Sequence, residues 1–268
     1  MDMDERLPLA AVQEPLRSTP RVGVEASGDD ESLRRLAADA DRASVESMAL
    51  SALWNELSSG LSEVADTFAS DERCYLLLRE PTASAAGRSA KLVCKFEVLA
   101  RMLLVGAQKV VAIDLDLAPS TVALLTKDAL RAMGFHCLPS QTPPILAMAA
   151  YAAQTRRPHA ARLSQLSRGG RNYRVVSVGR PDLGLADLLS PAECTVTRLL
   201  LEGRRRGEIA RLRRTSERTV ANQLAGAFQT LRASGRLDLI RRLVAEPAES
   251  FAKPGRQRAA RAQTSLSP

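Results

Sequence analysis

Between Ala43 and Phe68 the apolar residues Leu50, Leu53, Leu57, Leu61, Val64 and Phe68 fall at steps of three and four. That spacing buries one face of a helix and predicts a single helix over the stretch. Trp54 lies on the same face as a packing residue. The pattern then changes. Cys74–Leu78 is an apolar run followed by Arg79 and closed by Pro81, and Asn172–Val178 alternates with β-branched residues. Both predict short strands, and each is the other's natural partner, since a lone strand leaves a row of unpaired backbone groups. Helical spacing returns in Lys91–Phe135, in the Ala-rich Ile145–Thr155, in Leu189–Leu231 and in the stripe Leu237, Ile240, Leu243 and Val244, ended by Pro247. Thr82–Ser89 is a small-residue loop, and Arg156–Arg171, basic with Ser and Gly, is expected to be a hinge or linker. The expected fold is mainly α: helix-turn-helix bundles with a short two-stranded β element in the first module.

Leu189–Leu231 holds the strongest local signals. Ser190-Pro191-Ala192-Glu193 is a capping box with Pro at the first helical position. Val196, Leu199 and Leu200 then share a face, and Gly203 is placed to stop the helix. A short helix at about Gly207–Arg213 buries Ile209 and Ala210, and Thr215 and Ser216 supply hydroxyls for the next N-cap. From Glu217 a third helix places Val220, Leu224, Ala227, Phe228 and Leu231 on one side. Arg218, Ala221, Asn222, Ala225 and Gln229 fall on the other. This second face is polar and slim, fit to enter a DNA major groove about 12 Å wide. Arg218 and Asn222 are the candidate base contacts, with Ala221 and Ala225 permitting close approach. Thr215, Ser216, Thr219, Gln223 and the run Arg204, Arg205, Arg206 are candidate phosphate contacts, which orient a helix without specifying sequence.

The blocks Leu189-Ser190-Pro191-Ala192-Glu193, Leu199-Leu200-Leu201-Glu202-Gly203, Glu208-Ile209-Ala210 and Ser216 through Leu224 resemble the LuxR-type (GerE-type) DNA-binding domain. The resemblance spans about Leu185 to Glu246. It implies a four-helix domain whose third helix reads DNA and whose fourth, here 236–245, is a homodimer contact. Two departures stand out. Arg213-Arg214 replaces the usual Leu-Gly of the turn, and Arg204-Arg205-Arg206 replaces a mostly uncharged run. Positive charge at a helix N-terminus opposes the helix dipole, so these arginines are expected to face an anion, with phosphate the obvious one.

Shifting Lys91–Phe135 by 98 residues lays it on this module without a gap. Val98 meets Val196, Leu103 meets Leu201, Ala112 meets Ala210, Val122 meets Val220 and Ala129 meets Ala227. A second, degenerate LuxR-like copy is therefore expected at about 91–135. It is the weaker DNA reader: residues 90–136 carry six basic and four acidic side chains, Leu124 stands in Asn222's place, and Asp114, Asp116 and Asp128 repel phosphate. A structural or partner-binding role is expected instead. A rival reading makes Val110–Leu117 a buried strand ending in a phosphoacceptor aspartate, as in a receiver domain. That reading lacks an upstream strand delivering an acidic pair for magnesium.

Charge placement sharpens this picture. Formal net charge is +8, yet residues 1–42 hold ten acidic and six basic side chains, whereas 189–246 hold six acidic and twelve Arg. The positive charge sits on the module expected to touch DNA. Aromatics are 3% and hydrophobics 45%, so Ala and Leu supply the burial, which favours helices. Cys74, Cys94, Cys137 and Cys194 lack metal-ligand spacing and fit a reducing cytoplasm; no metal or cofactor and no catalytic constellation is expected. No apolar run is long enough to span a bilayer, and the N-terminus is acidic, unlike a signal peptide. The expected organisation is a disordered acidic segment 1–42 with at most a short helix around Glu31–Ala40, a helical module 43–179, a DNA-binding domain 180–246 and a disordered basic tail 247–268. The expected function is sequence-specific transcription regulation on double-stranded DNA, with RNA polymerase as a further contact. The alternatives are a sigma-like promoter reader and a protein–protein adaptor that no longer touches DNA.

Overall fold

The computed structural model describes residues 28–81, 91–155, 159–181 and 185–245. In chain order the elements are α1 (Gly28–Ala43), β1 (Ser47–Ala49), α2 (Leu50–Ser59), β2 (Glu63–Ala69), β3 (Arg73–Arg79), α3 (Lys91–Val105), α4 (Gln108–Asp114), α5 (Pro119–Ala132), α6 (Pro144–Thr155), β4 (Ala160–Arg168), β5 (Arg171–Gly179), α7 (Pro191–Leu201), α8 (Arg206–Arg213), α9 (Glu217–Thr230) and α10 (Arg236–Ala245). The expected loop Thr82–Ser89, the tail 247–268 and residues 1–27 lie outside the described residues.

The five strands form one antiparallel sheet in the order β1-β4-β5-β3-β2, which corrects the expectation of a mainly α fold with a two-stranded element. β3 and β5 do pair, with Tyr75 opposite Ser177 and Leu77 opposite Val175. Two further strands come from segments with other expectations. The basic stretch expected to be a linker is β4, joined to β5 by Gly169-Gly170, both at positive φ. A two-glycine turn of this kind matches the twist of the strands it joins. The single helix expected over 43–68 is instead β1, α2 and β2, because Gly60 adopts the left-handed conformation and closes α2. The four-residue step from Val64 to Phe68 fits a strand as well as a helix, so the apolar spacing ran on through the break. A bulge between Val64 and Asp66 then turns Val64 and Phe68 to opposite faces of the sheet.

Both faces are covered. On one, α1 lays Ala37 and Ala38 over Phe68, Tyr75, Leu77 and Val175. Two ion pairs fix it there: Arg34 to Asp66 at 2.7 Å, and the fully buried Asp41 to Arg73 at 3.2 Å. The Ser177 hydroxyl also donates to Asp41. Residues 28–42 are thus part of the fold, a correction to the disordered segment expected over 1–42. On the other face Leu76, Leu78, Val176 and Val178 meet Leu50, Leu53, Trp54 and Leu57 of α2 and Ile145, Ala149 and Ala152 of α6.

The internal repeat is present as geometry. α5 starts at Pro119 and α9 at Glu217, and they end at Ala132 and Thr230, in each case 98 residues apart. Val98, Ala112 and Val122 form one small core, and their counterparts Val196, Ala210 and Val220 form another. The turns match bond for bond. Leu117 N–H donates to the Ala112 carbonyl at 2.9 Å, and Thr215 N–H to that of Ala210 at 2.9 Å. Asp116 and Arg214, equivalent positions, both take φ 52 without being glycine. The rival strand reading of Val110–Leu117 does not hold, since 108–114 is helix.

The second copy is built into the body of the protein. Cys194, Leu201, Ala227, Leu231, Leu239 and Ile240 belong to the same core as the sheet, α2 and α6. Arg236 is buried and donates to the carbonyls of Leu200, Leu201 and Thr142 at 2.7, 2.8 and 2.5 Å, joining α7 to the α6 side. Burial pulls its pKa down to about 10. Gly203, at φ +89, lies so close to Gln141 that a Cβ there would meet its carbonyl oxygen at 2.7 Å. The 180–246 segment therefore holds a small core of its own and also shares the core of the sheet. The apolar stripe of α10, with Leu239 and Ile240 buried and Leu237 and Leu243 packed on the core, is covered within the chain, which removes it as the dimer contact the resemblance implied.

Candidate nucleic-acid interface

α9 is positioned by the faces it buries. Val220, Leu224, Ala227 and Leu231 follow steps of four, three and four into the core. Arg218, Asn222, Ala225 and Gln229 follow the same steps two residues out of phase and are all exposed. A shift of two residues is about 200° around a helix, so the two sets point in opposite directions. At the start of α9 the Ser216 hydroxyl accepts from Thr219 N–H at 3.0 Å, the cap that fixes where the helix begins. α8 buries Ile209 and Ala210 and leaves Arg205, Arg206, Arg211 and Arg214 exposed.

The expected site residues divide accordingly. Arg205, Arg206, Thr215, Arg218, Asn222 and Ala225 are all exposed, on α8, the turns beside it and α9. Ala221 is half-buried. Ser216 and Thr219 lie 2.9 Å apart, hydroxyl to hydroxyl, and serve the cap. Gln223 is half-buried and accepts from Arg213. Arg204 is half-buried. Arg205 donates from its backbone to Glu208 at 2.9 Å, and its guanidinium reaches the Gln141 side chain at 3.4 Å. Two arginines absent from the expected set belong on the surface. Arg211 and Arg214 sit one helical turn apart at the end of α8, a spacing visible in the sequence. Gln229 extends the exposed stripe of α9.

The equivalent surface of the first copy differs, with Lys127 and Arg131 where the second has Ala225 and Gln229. In place of Arg205, Arg206, Arg211, Arg214 and Asn222 it presents Ala107, Gln108, Ile113, Asp116 and Leu124. The two copies share a backbone and differ in what they show to the outside.

No protein-family model, no curated protein and no solved structure matches the chain. The α8–α9 surface is therefore judged on its own chemistry. It offers the guanidinium groups of α8 and its turn beside an α9 stripe made of Arg218, the amides Asn222 and Gln229, and the small Ala225. Such groups pair with phosphate oxygens, and an amide pairs with a base edge. Among the described residues no group of three or more His, Cys, Asp or Glu is arranged to hold a metal, and no helix is long and apolar enough to cross a membrane.

Proposed function

We propose that this chain is a sequence-specific DNA-binding transcription regulator acting in the cytoplasm, with α9 as the reading helix. The contrast between its two helix-turn-helix copies carries the proposal. Packing explains the buried residues of both, but packing does not explain why α8 and its turn collect four exposed arginines where α4 and its turn have Ala, Gln, Ile and Asp. Phosphate recognition does. Arg218 and Asn222 read base edges, Ala225 lets the helix approach, and Arg205, Arg206, Arg211, Arg214 and Thr215 meet the backbone. The resemblance of Leu185–Glu246 to LuxR-type domains supports the same reading.

The test is selection of the full chain on a pool of randomised duplexes, followed by a salt titration on the enriched sequence. An enriched motif, bound with a steep salt slope, is expected. Binding that enriches no sequence contradicts sequence reading, and absence of binding at low salt contradicts the function. Co-purification with RNA polymerase would separate a sigma-like reader from a regulator that acts alone.

A further inference from the structure

The outward face of α4–α5 is apolar at its centre and charged at its ends. Val110, Ile113 and Leu124 are 45%, 80% and 58% exposed, with Ala107, Ala118 and Ala123 also exposed around them. Along α5 the exposed stripe is Ser120, Leu124, Lys127 and Arg131, at steps of four, three and four. The turn that leads into it carries exposed Asp114 and Asp116. The stripe therefore runs from acid through leucine to base. Asp114, Asp116, Lys127 and Arg131 form no ion pair among the described residues, so both signs of charge are open.

We propose that this face joins two copies of the chain about a two-fold axis, with α5 lying antiparallel to its mate and crossing it at Leu124. A surface meets itself across a two-fold only if it is self-complementary. Here Asp116 lies eight residues before Leu124 and Arg131 seven after it, so antiparallel crossing brings Asp116 of each copy to Arg131 of the other. Arg131 lies about 10 Å along α5 from the crossing point at 1.5 Å per residue, and Asp116 lies in the turn just before the opposite end of the helix. Leu124 and Ile113 of both copies supply the apolar centre and the charges the rim, the usual anatomy of a stable interface.

Sedimentation of the full chain without DNA, over a wide micromolar range, tests this independently of DNA reading. A dimer is expected. Leu124→Glu should weaken it by about tenfold or more, as for a central apolar anchor, with an unchanged unfolding midpoint at concentrations where both chains are monomeric, because the side chain is exposed. Asp116→Arg and Arg131→Asp should each weaken the dimer, and the double variant should restore it. Arginine at the equivalent position 214 already adopts the same φ, so Asp116→Arg does not disturb the turn. A chain that stays monomeric, a Leu124→Glu variant that dimerises like the wild type, or a double variant no better than either single one overturns the proposal.

Discussion

Arg214 occupies a conformation that glycine adopts freely and other residues adopt at a cost of about 1–2 kcal/mol. Its side chain is exposed, so no packing offsets that cost. The equivalent Asp116 carries the same φ, so the cost belongs to the turn, while the Arg214 side chain is the part proposed to meet phosphate. Arg214→Gly should therefore raise stability by about 1 kcal/mol in urea unfolding and at the same time lower the salt slope of DNA binding by about 1. A variant that loses stability, or that binds DNA with an unchanged slope, contradicts this. Asp238 offers a second residue-scale test. Burial alone would raise its pKa, but hydrogen bonds from Arg241 and from the Ser234 N–H and hydroxyl outweigh burial and hold it at about 2. The fold thus favours the charged form. Its contribution is complete above the ordinary aspartate value of about 3.9 and fades as pH falls through about 2. Asp238→Asn should be less stable than the wild type at pH 6, and the gap should close in acid; a gap that stays constant from pH 6 to 2 excludes the electrostatic explanation. The face of α9 was legible because period and capping chemistry are local. The engagement of Gln223 by Arg213 and the burial of Arg236 were not, since each depends on a partner ten or more residues away.

Among the elements, the helices of both copies were legible from capping signals, glycine stops and a repeat without gaps. β1, β2 and β4 were not. β4 is short of strongly apolar residues, because Arg162, Ser164, Gln165 and Ser167 leave only Leu163 and Leu166 among them, and a strand paired on both sides draws much of its stability from neighbours that the local sequence does not show. α1 was underrated for a different reason. Its composition is acidic and its apolar surface small, but the buried Asp41 and Arg34 meet half-buried partners on the sheet. Removing one partner of a buried ion pair leaves the other charge stranded. Asp41→Ala should therefore cost about 1–3 kcal/mol in urea unfolding, because Arg73 loses its carboxylate while keeping its bonds to Ser177. A loss below about 1 kcal/mol would mean that α1 rests on the sheet through its alanines alone.

For the whole molecule, one core runs from the sheet through α2 and α6 to α7, α9 and α10. Trp54 reports from the sheet side, and far-ultraviolet dichroism reports mainly from the helices. The two signals should follow one coincident unfolding curve. A separate helical transition would show that the second copy folds as its own unit. The sequence suggested a domain of its own for that copy because the resemblance covers about Leu185–Glu246 and the stretch Arg156–Arg171, which holds β4, has the composition of a linker. Charge divides the surface of one body: an arginine-rich α8–α9 side and an apolar α4–α5 side on matching backbones.

The central claim is that α9 reads sequence while the arginines around it hold backbone. It is tested most directly by measuring preference between an enriched duplex and its single-base variants, together with the salt slope, for Asn222→Ala and for Arg206→Ala combined with Arg211→Ala. Asn222→Ala should flatten the preference at one position by about 1–3 kcal/mol and leave the slope unchanged. The double arginine variant should weaken all duplexes alike and reduce the slope by about 2. If the arginine variant alters sequence preference and Asn222→Ala does not, α9 is not the reading helix.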